Sequence, residues 1–115
     1  MELGGSTNVK VINSDILNSN LDNVQFSGSG LSITNSNIMN SKTLDGIYIS
    51  AGGGNITISN SVFSGNYNFC FDAYSNGAII NNIIFSNNVC NAENKNGIGS
   101  TKANRFVISS NTIQA

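Results

Sequence analysis

One pattern returns five times along this chain. Val9-Lys10-Val11-Ile12-Asn13-Ser14-Asp15-Ile16 is answered by Leu31-Ser32-Ile33-Thr34-Asn35-Ser36-Asn37-Ile38 and by Ile56-Thr57-Ile58-Ser59-Asn60-Ser61-Val62-Phe63. Ala78-Ile79-Ile80-Asn81-Asn82-Ile83-Ile84-Phe85 and Phe106-Val107-Ile108-Ser109-Ser110-Asn111-Thr112-Ile113 continue it. Copies are offset by roughly 22 to 28 residues, a spacing at which self-similarity signals stacked repeats. Four columns follow. Two are apolar: Val9, Leu31, Ile56, Ala78, Phe106, and then Val11, Ile33, Ile58, Ile80, Ile108. A polar column comes next, Asn13, Asn35, Asn60, Asn82 and Ser110, and a last apolar one, Ile16, Ile38, Phe63, Phe85 and Ile113. Apolar residues two apart mean a strand with one buried face. The polar column marks a bend before a second short strand. Between these copies lies a third repeated segment. Leu21-Asp22-Asn23-Val24-Gln25-Phe26-Ser27 matches Leu44-Asp45-Gly46-Ile47-Tyr48-Ile49-Ser50, with Asn68 to Asp72 and Gly97 to Ser100 as later counterparts.

Composition agrees with an all-β chain. Asn (22), Ser (17), Ile (15) and Gly (12) dominate, Pro is absent, and helix formers are scarce. Charged residues make up 10% of the chain, far below the usual value of about 25%. The net charge of −1 leaves no basic footprint for nucleic acid. No apolar run approaches the roughly 18 residues of a membrane span. There is no histidine and no Cys-x-x-Cys pair, so a zinc site has no ligand set.

Three short strands per period do not suit hairpins, because the paired-strand signature around a tight primed turn does not recur. Winding suits them better. Each strand then stacks on its counterpart one coil later, about 4.8 Å away, and each column meets its own kind. In the polar column, Asn13, Asn35, Asn60 and Asn82 are expected as a structural ladder, each amide bonding the backbone at the bend and the amide one coil away. The stretches Ile33-Thr34-Asn35-Ser36-Asn37-Ile38 and Asp45-Gly46-Ile47-Tyr48-Ile49-Ser50 resemble the repeat of the pectate lyase-like superfamily. That resemblance covers about residues 8 to 115 and implies a right-handed parallel β-helix of about 4.5 coils. Residues 1–7 are expected as a start or linker, and residues 8–115 as the solenoid, cut from a longer chain.

The superfamily spans lyases, hydrolases, epimerases, phage tailspikes and adhesins, so it implies fold more than function. Its catalytic motifs transfer badly. An Asp-Pro-His-Asp motif cannot exist here, no Asp-Asp pair occurs, and Arg105 is the only arginine. The segment alone is therefore not expected to hold a complete active site.

Chemistry concentrates on the third strand and its flanks. Gln25, Tyr48 and Cys70 are expected to face outward, with Asp22, Asp45 and Asp72 nearby. A sugar site would draw on Gln25, Tyr48, Asn68, Asp72 and Tyr74, which supply aromatic faces and planar polar partners. Asp22 and Asp45 are equivalent positions in adjacent coils. They have three readings: a Ca²⁺ site, a carboxylate pair for glycoside hydrolysis, or caps on local backbone N–H groups, which the turn position favours. No cofactor is required, and Ca²⁺ is the one ion these carboxylates would suit. Phe69 and Phe71 are expected inward, and Ile12, Ile79 and Val107 outward. Cys70 and Cys90 fall in neighbouring coils, where a disulfide and two free thiols both remain open.

The expected function is polysaccharide recognition by a β-helix segment of a cell-surface or virion protein of tailspike type, outside the cell. The alternatives are part of a polysaccharide lyase or glycoside hydrolase with catalytic residues partly elsewhere, or a structural solenoid without ligand. Self-association, including end-to-end stacking, is the expected way to cover open strand edges.

Overall fold

The computed structural model describes residues 1–75, 77–93 and 95–114. Asn76, Asn94 and Ala115 fall within the expected solenoid but lie outside the described residues. The chain is a parallel β-solenoid of about five turns, with no helix among the described residues. The first turn holds β1 (Glu2–Ile12) and β2 (Asp15–Leu17), and the second β3 (Val24–Thr34) and β4 (Asn37–Met39). The third holds β5 (Ile47–Ser59) and β6 (Val62–Ser64). The fourth is β7 (Phe69–Ala73), β8 (Ile80–Ser86) and β9 (Val89–Asn91). The fifth is β10 (Asn96–Ser100), β11 (Ala103–Ser109) and β12 (Thr112–Gln114). Short strands β2, β4, β6, β9 and β12 form one sheet, and the rest form the other.

Pairing is parallel throughout, as winding requires. The register of the first three coils follows the sequence columns: Val9 faces Leu31 and Leu31 faces Ile56, while Val11 faces Ile33 and Ile33 faces Ile58. Three coils differ from expectation in strand count. The third strand of each period runs on into the first strand of the next, so β1, β3 and β5 are single long strands with register shifts near Gly4 and Gly28. Glycine permits this at the corner: Gly53 has φ +85°, and a Cβ there would collide with the Gly28 carbonyl one coil below. Strand β1 begins at Glu2, so residues 2–7, expected as a lead-in, already pair with β3.

The fourth coil corrects the register. Ile83 and Phe85, not Ala78 and Ile80, stack on Ile56 and Ile58, and Phe106 and Ile108 stack on them in turn. The last inner column is Ile16, Ile38, Phe63, Cys90 and Ile113. Asn82 therefore leaves the expected ladder, and Asn87 takes its place. Volume explains the choice. Phe85 sits between Phe63 and Phe71, with ring centroids 5.5 and 5.4 Å away, and Phe71 meets Phe106 at 5.8 Å. That aromatic stack fills the solenoid interior alongside Phe26, Ile33, Ile38, Ile47, Ile49, Ile56 and Ile58, all fully buried.

The polar column has a different duty from the one expected. Asn13, Asn35, Asn60, Asn87 and Ser110 all take a left-handed backbone, with φ of 51°, 52°, 51°, 54° and 56°. Asn tolerates this conformation better than other residues with a Cβ, which accounts for its abundance at the bends. The side chains of Asn13, Asn35 and Asn60 are exposed. The inter-coil ladder belongs to the next residue. Ser14 N–H donates to Ser36 Oγ, Ser36 N–H to Ser61 Oγ, Ser61 N–H to Asn88 Oδ1 and Asn88 N–H to Asn111 Oδ1, at 2.8–3.2 Å. These bonds span 22, 25, 27 and 23 residues, which are the true coil lengths. Asn82 instead occupies a second left-handed corner, where its Nδ2 donates to Asn55 Oδ1 at 3.1 Å.

Cys70 points inward, not outward. It is buried, as is Cys90, and the two are joined as a disulfide with a Cα–Cα distance of 6.1 Å. The bond ties β7 to β9 across the interior of the fourth coil. Phe71 is buried as expected, whereas Phe69 is half-buried and lays its ring beside Gly99. Ile12, Ile79 and Val107 are exposed, as expected, but Ile79 lies just before β8.

Candidate functional site

The polar face forms on the N-terminal parts of β3 and β5 and on β7. Strand alternation sends Val24, Phe26, Ile47, Ile49, Phe71 and Ala73 into the core. The residues between them must face outward. Gln25 pairs with Tyr48, and Tyr48 with Asp72, so these three form one outward column along the solenoid axis. All three are half-buried. Glu2 extends the column at one end and Gly99 at the other.

Beside this column runs a shallow groove of about 340 Å³, lined by Leu21, Asp22, Gln25, Leu44, Asp45 and Tyr48. Leu21 and Leu44 are 60% and 41% exposed, and they form an apolar rim. Neither was among the residues expected at the site. Their equivalence in two coils, directly before Asp22 and Asp45, was the available signal.

Asp22 and Asp45 lie together at the base of the groove, both buried. Their carboxylates are turned to the backbone. Asp22 Oδ1 accepts from the Asp45 N–H at 2.9 Å, and Asp45 Oδ1 accepts from the Phe69 N–H at 2.9 Å. This is the capping arrangement among the three readings. It links second coil to third and third to fourth. Burial pushes the Asp45 carboxyl up to about 6; the Phe69 N–H opposes that rise, the charges of Asp22 and Asp72 add to it, and the Asn68 side chain resists it by a hydrogen bond. Asp22 is also raised, chiefly by burial. Asp72 is raised by burial and then by the charge of Asp22. The Tyr48 phenol is raised by burial first, then by Asp72, Tyr74, Asp22 and Asp45.

The structure thus brings Gln25, Tyr48, Asp72, Tyr74 and Asn68 to one face. Asn68 bridges Asp45 to Asn96, whose Nδ2 donates to Asn68 Oδ1 at 2.8 Å. Tyr74, 38% exposed, neighbours Tyr48 across the fourth coil. Tyr67 stands apart under the Lys95 ammonium, 4.9 Å from its ring centroid. Among the described residues, no group of three or more His, Cys, Asp or Glu side chains could hold a metal ion. No helix among them is long and apolar enough to cross a membrane.

Fold and face together define a class: a parallel β-solenoid that displays an aromatic and amide column beside an acidic groove with a leucine rim. Comparison with protein families, with curated proteins and with solved structures finds no match.

Proposed function

We propose that this chain is a polysaccharide-recognising β-helix segment of a cell-surface or virion protein, of the pectate lyase-like, tailspike type. The observation that carries the reading is the outward column of Gln25, Tyr48 and Asp72, repeated from coil to coil beside the exposed Leu21 and Leu44. A glycan chain offers C–H faces to aromatic and aliphatic surface, and hydroxyls to amides and carboxylates. A row of partners at coil spacing, about 4.8 Å, suits an extended polymer better than a compact ligand. The buried disulfide supports a place outside the reducing cytosol.

Recognition is favoured over hydrolysis by the duties of the carboxylates. Glycoside hydrolysis needs two carboxyl groups flanking the sugar. Here Asp22 and Asp45 each give an oxygen to the backbone and are buried, and the outward carboxylates of the column, Asp72 and Glu2, are separated by Gln25 and Tyr48. The test is an array of immobilised polysaccharides probed with the chain and with Tyr48→Ala. At least one glycan is retained, and Tyr48→Ala weakens it about tenfold, the value of one lost aromatic contact of about 1.4 kcal/mol. Absence of retention on every glycan, or an unaffected Tyr48→Ala, would overturn the proposal.

A further inference from the structure

We infer that the groove beside Tyr48 selects uncharged glycan chains and turns away those that carry uronate carboxylates. The inference rests on the glycan reading above and adds the class of sugar. Asp22 and Asp45 line the groove with Tyr48, Asp72 stands next to Tyr48 in the column, and Glu2 pairs with Gln25 at the end of that column. No lysine or arginine is among the groove residues. The cations of this flank are turned to other partners: Lys42 Nζ donates to Asn20 Oδ1 at 3.1 Å, the Met1 ammonium to the Asn23 carbonyl at 2.7 Å, and Lys95 sits over Tyr67.

A ligand on Tyr48 would therefore lie in a field dominated by carboxylates, with the Met1 ammonium, whose charge favours ionised Asp22, as the opposing charge on this flank. Burial first, and then the charges of Asp72, Tyr74, Asp22 and Asp45, oppose ionisation of the Tyr48 phenol, so the carboxylates act at the place a ligand would occupy. A uronate carboxylate in the same place meets like charge in a partly dehydrated groove, where repulsion is stronger than in water. A neutral hexose meets the same groups as acceptors. Its hydroxyls donate to Asp72, while Gln25 offers both a donor and an acceptor. The carboxylates thus serve one ligand class and repel the other, which is how discrimination between chains of equal shape arises.

Binding is measured by affinity electrophoresis at pH 7, low salt and excess chelator, on immobilised neutral glucan and galactomannan and on polygalacturonate and alginate. The chain is expected to be retained on a neutral polymer and roughly tenfold less on the uronates. Asp72→Asn keeps a polar group of the same shape. It is expected to raise uronate binding severalfold and to weaken neutral binding, for which Asp72 is the charged acceptor, so that the gap between the two classes closes. Added salt should narrow the difference between the two classes, because it screens exposed charge. Thermal unfolding of the variant confirms that it is folded, and Glu2→Gln gives a second removal of charge at the end of the column. Uronate retention equal to or above neutral retention overturns this inference and leaves the glycan reading standing, as does an Asp72→Asn that gains nothing on uronates. Retention on neither class overturns both.

Discussion

Asp45 is 5% exposed and holds the Phe69 amide with one oxygen, yet its carboxyl is pushed up to about 6. Its ordinary value is 3.8. The folded chain therefore keeps this proton over a range where the unfolded chain has lost it. The resulting stabilisation is complete below the unfolded value and is lost as pH rises through about 6. At neutral pH the site holds a buried charge flanked by two further carboxylates, Asp22 and Asp72, both shifted in the same direction. Asp45→Asn keeps an oxygen for the Phe69 N–H and removes the charge. The variant is expected to melt higher than the parent at pH 7 and to match it near pH 4, with a gain of at most about 3 kcal/mol. Calorimetry across that range measures it. Equal pH dependence in the two proteins would show that Asp45 is not the group responsible.

The fourth coil departs most from the repeat, and it holds the one covalent tie. Its inner position on β9 is Cys90, where other coils place Ile or Phe. Bonding to Cys70 ties β7 to β9 across the interior. The bridge closes a separation of 20 residues, which in the chain-entropy account is worth about 3 kcal/mol. Replacing both cysteines by Ala, or reducing the native chain, is expected to lower the urea midpoint accordingly. Hydrogen exchange should rise first in β7 and β9. An unchanged midpoint would mean that packing of Phe71 and Phe85 alone secures the coil. Legibility in the sequence also breaks down at this element. The first three coils were readable because each carries apolar residues two apart, then Asn, then Ser. The fourth offers two such frames, one ending at Asn82 and one at Asn87-Asn88. Local pattern cannot choose between them. The choice is made by Phe85 reaching Phe63 and Phe71, and by Asn88 reaching the Ser61 amide, both contacts between coils. The same limit hid the direction of Cys70. The site was legible as a column at Gln25 and Tyr48, whose flanking segments match closely, whereas the duty of Asp22 and Asp45 needed the position of the next coil's backbone.

Across the whole molecule, strand pairing runs from each coil to the next, so stability should behave as a sum of coils and interfaces. Register, rather than any one residue, is then the quantity that must be preserved. Ser36 and Ser61 occupy equivalent positions 25 residues apart. Deleting residues 36–60 joins Asn35 to Ser61 and gives a four-coil chain in which every inner column stays aligned, with Phe63 following Ile33 as Ile38 did. That chain is expected to retain a β-sheet circular dichroism spectrum and a cooperative melt at lower temperature. A deletion shorter by one residue leaves an extra residue at that bend, which must bulge out or reverse the facing of the strand it enters, and it is expected to melt lower than the in-register deletion. The in-register deletion also removes Leu44, Asp45 and Tyr48, so it should abolish glycan retention while leaving the fold. Equal melting of the two deletions would mean that the bend absorbs an extra residue without cost, and that the spacing from Ile33 to Phe63 does not set the register of this coil.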